Sequence, residues 1–131
     1  MNILVFDRSP EVREMIQRNL IQMDQSLNIV LAANMISVTE ALKKTSIDLA
    51  IIDMDNLDGL FPLYMKTIQS TNPGIVTILL SSLPSKRVFQ IFQNKGADFC
   101  FDKSNEFDSL INKIDGFLFE HSQQKKVVEK R

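Results

Sequence analysis

The chain has 131 residues with a formal net charge of -1, 44% hydrophobic and 24% charged, which suits one ordinary globular domain with its own core. Such a balance gives no reason to expect a nucleic-acid surface, which would be basic overall. The one cysteine, Cys100, has no partner for an internal disulfide and joins no metal-type Cys/His cluster, so a reducing, cytoplasmic setting is expected; the apolar runs are too short for a signal peptide or a membrane span.

Asn2–Phe6 is a run of Ile, Leu, Val and Phe stopped at Asp7, the pattern of a strand buried on both faces. Ser9-Pro10-Glu11 opens a helix, with Ser9 as cap, Pro10 at the first helical position and Glu11 at the positive end. Val12, Ile16, Leu20 and Met23 continue it on one face. Residues 27–33 give a second strand, and Ser37 is expected to cap the helix "VTEALKK" that follows. Residues 47–53, "IDLAIID", form a third strand ending at Asp53, and a helix follows over 60–70. "TNPG" is a turn signal. Residues 75–82 form the fourth strand. A helix over 85–96 closes on Gly96, the fifth strand takes 97–102, and the last helix takes 105–122 with Phe107, Leu110, Ile111 and Ile114 on its apolar face. The tail "QQKKVVEKR" extends that helix, frays, or serves as a linker.

Five strands alternating with five helices predict an α/β domain with a parallel sheet covered on both faces. Function in such a sheet collects at the carboxyl ends of the strands. That rim receives Asp7 and Arg8 from the first strand, Asp53 from the third, Ser81 and Ser82 from the fourth, and Asp102 and Lys103 from the fifth. A carboxylate nucleophile with a lysine and a hydroxyl beside it suits phosphoryl transfer onto aspartate, since these groups stabilise charge on the peripheral oxygens. Magnesium, held by hard oxygens, would serve the same end. A flavodoxin-like enzyme or nucleotide binder is a competing class, but "DRSPE" stands where a glycine-rich phosphate loop would follow the first strand.

"ILVFDRSPEVREMIQRNL", "DLAIIDMDNLDGL", "ILLSSLPSKRV" and "KGADFCFDKSNEF", in that order, resemble the landmark regions of a response-regulator receiver domain of two-component signalling. The resemblance runs from Asn2 to about His121, leaving 122–131 as tail or linker. It implies a single flavodoxin-like, doubly wound domain with strand order 2-1-3-4-5. It implies Asp53 as phospho-acceptor, Asp7 as an acidic-pocket residue that holds Mg2+ together with Asp53, Ser81 as switch hydroxyl and Lys103 as phosphate-sensing lysine. Ser81 and Lys103 have the family's separation of 22 positions. Its implied partners are a sensor histidine kinase or phosphotransfer protein, and a downstream protein or output domain reached through the face of the fourth helix, fifth strand and fifth helix; a homodimer is compatible, and neither nucleic acid nor membrane is a direct partner.

The chain departs from that pattern in three places. Arg8 stands where a second acid is usual, so weak or absent magnesium binding is expected, with the guanidinium free to pair with Asp53 or Asp7. Asp58-Gly59 comes about two residues early and without the family's Met-Pro. Cys100 replaces the switch aromatic, and Phe99 and Phe101 point to the opposite side. Asp55 and Asp58 are read as turn formers, with Asp55 as a substitute metal ligand kept as an alternative. Cys100 is read as a small buried hydrophobe, His121 as an exposed helix-end residue, and the phenylalanines at 89, 92, 107, 117 and 119 as mostly core, with some left to cover a partner-binding face. These departures raise a second reading, a pseudo-receiver that binds a protein partner without phosphorylation.

Overall fold

The computed structural model describes residues 1–55, 60–82 and 86–129. In chain order the elements are β1 (Asn2–Phe6), α1 (Pro10–Met23), β2 (Asn28–Ala32), α2 (Met35–Lys44), β3 (Leu49–Asp53), α3 (Phe61–Thr71), β4 (Val76–Ser81), α4 (Lys86–Asn94), β5 (Phe99–Asp102) and α5 (Phe107–Glu129). The sheet is parallel in the order β2-β1-β3-β4-β5, the doubly wound arrangement expected.

Strand alternation splits the core in two. Leu4, Phe6, Ala50, Ile52 and Leu79 meet Val38, Leu42, Met65 and Ile68 from α2 and α3. On the other face Ile3, Val5, Leu49, Ile51, Ile78 and Leu80 meet Ile16 and Leu20 of α1 and Leu110 and Ile114 of α5. Burying each such Leu or Ile contributes about 1.5–3 kcal/mol, so the central strands, apolar on both faces, anchor the molecule. Phe99 and Phe101 pack on the α1/α5 side and Cys100 on the other, as alternation requires.

Two details of the helices differ from expectation. The cap of α2 is Asn34, not Ser37: its side chain accepts from Ser37 N–H at 2.9 Å. Both residues are capping types three positions apart, and the helix starts at the earlier one because Asn34 has extended backbone and can reach the free N–H of the first turn. Phe119 is 66% exposed, outside the core assigned to it; α5 turns its Leu110–Ile114 side to the sheet, and residue 119 falls well round the helix from it. The helix itself runs on to Glu129, so the first residues of the tail are helical. Ser9 caps α1 by accepting from Val12 N–H, and Gly96, at φ 113, takes the left-handed conformation after α4.

Candidate functional site

Backbone bonds carry the sheet ladder past the strand ends and so place the rim residues. Asp7 N–H donates to Ala32 O, Met54 N–H to Leu80 O at 2.8 Å, and Lys103 N–H to Ser81 O at 2.9 Å. Asp53 pairs in register with Leu80, and Ser81 with Asp102. Asp7, Asp53 and Lys103 share the strand parity that faces α1 and α5, which brings the three side chains together.

Lys103 Nζ lies 2.8 Å from Asp7 Oδ2, 2.8 Å from Asp53 Oδ1 and 3.4 Å from Asp55 Oδ2. Asp7 and Asp53 are each only 1% exposed. Buried carboxylates persist only when paired, and the ammonium compensates Asp7 Oδ2 at 2.8 Å. Partial burial works against the charge on Lys103, but the hydrogen bonds and charges of Asp53 and Asp7 outweigh it and raise its pKa. Arg8 is exposed two residues after β1, and the ammonium that bridges Asp7 and Asp53 comes from the residue that follows β5.

Asp55 lies in a turn, as expected, and its side chain also enters the site, as the alternative reading allowed. Oδ1 accepts from Ser81 Oγ at 3.2 Å and Ser82 N–H at 2.9 Å, while Oδ2 accepts from Ser82 Oγ at 2.8 Å. Burial opposes its charge, yet the bonds from Ser82, the Lys103 charge and Ser81 together lower its pKa. Asp55 N–H donates to Asp53 Oδ1 at 2.9 Å, which ties the two acids. Ser82, expected to do no more than end a strand, contributes two donors. Asp58, Gly59 and the start of the segment before α4 lie outside the described residues.

Asp102 is buried and structural. It accepts from Ser104 N–H and Asn105 Nδ2, each at 2.8 Å; these bonds, Asn105 first, hold its pKa below the usual carboxylate value. Its own N–H donates to Glu106 Oε1, so the turn carrying Lys103 is locked from both ends. Cys100 packs half-buried beside Phe89, and burial pushes its thiol up to about 11. His121 is exposed. A cavity of about 220 Å³ lined by Val12, Met15, Phe107, Ser82 and Lys103 adjoins the site between α1 and α5. Among the described residues no helix is long and apolar enough to cross a membrane.

A doubly wound sheet whose carboxyl rim gathers buried aspartates on one lysine, with serines opposite and no glycine-rich loop after β1, has the site of a signal-receiving domain rather than of a dinucleotide binder. The response regulator receiver domain profile matches residues 3–115; the chain belongs to this family, a module of two-component signalling. No curated protein sequence matches the chain. Among solved structures it is similar to the signal receiver domain of a DNA-binding response regulator from Colwellia psychrerythraea 34H, with 20% identity over 90% of this chain and 98% of that one and a TM-score of 0.80. A response regulator from Thermotoga maritima matches with 20% identity, 86% and 92% coverage and a TM-score of 0.75. An atypical orphan response regulator, described as having a new phosphorylation-independent regulatory mechanism, matches with 15% identity, 88% and 93% coverage and a TM-score of 0.73.

Proposed function

We propose that this receiver domain signals to a protein partner without a phosphoryl group on Asp53. The observation that carries the reading is the placement of Asp55: its carboxylate already uses Ser81, Ser82 and Lys103, the donors that a phosphoryl group on Asp53 would need. The same fold in an atypical orphan regulator described as phosphorylation-independent is consistent with it.

The residues present fit magnesium poorly. Lys103 spans the Asp7 and Asp53 oxygens that would coordinate the ion, and Arg8 adds a positive charge where a second acid would help. Ile91 on α4 and Phe119 on α5 are exposed large apolar side chains, which supports the α4–β5–α5 side as the partner-facing surface. A homodimer through this side, an output domain and a separate downstream protein are all compatible with it.

Incubation with acetyl phosphate and magnesium, or with a cognate sensor kinase or phosphotransfer protein, followed by intact mass, tests the reading. The expected spectrum is unmodified protein, and Asp53→Asn binds the partner as the parent does. The second reading, phospho-acceptance on Asp53 with Ser81 and Lys103 assisting, is favoured by the 2.8 Å contact of Lys103 with a strand-end aspartate. A gain of one phosphoryl group, lost in Asp53→Asn, would establish it and overturn the first.

A further inference from the structure

We propose that Ser81, Ser82 and Lys103 form an anion cradle whose resident ligand is the tethered carboxylate of Asp55. The proposal deepens the phosphorylation-independent reading and rests on it. The cradle is built only of donors: two hydroxyls, a backbone N–H and an ammonium, converging on one carboxylate at 2.8–3.4 Å. Carboxylate and phosphate both accept such charge-assisted bonds, and a tetrahedral oxyanion could present several oxygens to the same set.

Tethering decides which anion wins. The bond from Asp55 N–H to Asp53 Oδ1 fixes the residue whose side chain fills the cradle. The carboxylate therefore acts at a high effective concentration, while a free anion must pay its own loss of freedom. An incoming phosphate also meets Asp7 and Asp53 next to the same lysine. The rim is thereby held in an anion-occupied arrangement without a covalent step, and removal of the Asp55 carboxylate exposes the vacant donors.

The probes are inorganic phosphate and beryllofluoride, titrated into the full chain while the Ser82 amide resonance is followed. Wild type is expected to show no saturable shift at Ser82, and Asp55→Ala a saturable one with at least about tenfold tighter apparent affinity for phosphate. Asp55→Asn, which keeps the shape and loses the charge, should fall between them. A folded Asp55→Ala that responds to neither probe, or a wild type that binds phosphate at Ser82 as tightly as the variant, overturns the proposal. If Asp55→Ala does not fold, the through-hydrogen-bond coupling between Ser82 N and the Asp55 carboxyl carbon in wild type decides, and its absence is fatal. Intact mass after acetyl phosphate is read in parallel. Phosphorylated wild type sinks the underlying reading, whereas unphosphorylated wild type with an unresponsive Asp55→Ala sinks the cradle alone.

Discussion

Lys103 reaches Asp53 at 2.8 Å from a strand two places away in the sheet. The same ammonium holds Asp7 at 2.8 Å, so one side chain pairs with two buried acids that follow β1 and end β3.

Removing it leaves those carboxylates close together without their counter-charge. Lys103→Met should destabilise the domain by roughly 2–4 kcal/mol, somewhat below the usual cost of breaking a fully buried pair because the lysine is partly exposed. Urea denaturation measures it. The double variant Lys103→Met with Asp53→Asn should recover part of the loss; strict additivity would show that the two are not coupled.

Acid should weaken the rim. Asp55 and Asp102 have folded-state pKa values below 3.8, so each contributes stability that is present above the unfolded value and lost as pH falls through the folded one. The midpoint of urea unfolding is expected to drop below about pH 4, and Asp102→Asn should drop less steeply. An identical slope in both would remove Asp102 from the account.

Alkali acts through Cys100. Its folded value is raised, from 9.0 to about 11, so the protein binds the thiol proton more tightly folded than unfolded. Its contribution is intact below pH 9.0 and declines as pH rises toward about 11. Native protein at pH 8 should react with iodoacetamide far more slowly than urea-unfolded protein, since the thiolate is the nucleophile. Equal rates would contradict the buried environment.

Gly96→Ala should cost about 1–2 kcal/mol, because the backbone at φ 113 disfavours any L side chain. A Cβ there would also overlap the end of the Gln69 side chain. Combining it with Gln69→Ala relieves the overlap but not the backbone strain, so most of the loss should persist in thermal unfolding. Full recovery would assign the cost to the contact.

The strands and the shared rim of Asp7, Asp53, Ser81 and Lys103 could be read from where each apolar run stops, because a strand buried on both faces announces its end by the first polar residue; the order of the strands came only with the family resemblance. The cap of α2 could not, since Asn34 and Ser37 are chemically equivalent starts and only the chain path picks one. Asp55 was read first as a turn former and only alternatively as a site residue, and its bonds to Ser82 were not foreseen, for a related reason. Composition makes an Asp in an Asn/Asp-rich stretch look like a turn, whereas its destination depends on how the backbone leaves β3 and on a serine 27 positions away. Cys100 was legible in both respects: alternation fixed its side of the sheet, and its small apolar character matched a half-buried place beside Phe89 of α4.

The two backbone bonds that continue the ladder beyond β3 and β5, Met54 N–H to Leu80 O and Lys103 N–H to Ser81 O, have a dynamic corollary. They belong to the same stretch of sheet as the charges they position, so the amide protons of Met54 and Lys103 are expected to exchange with solvent together, in one opening event that also releases the lysine. The pocket then has no loose half: a signal that loosens the end of β3 is felt at the end of β5 in the same motion.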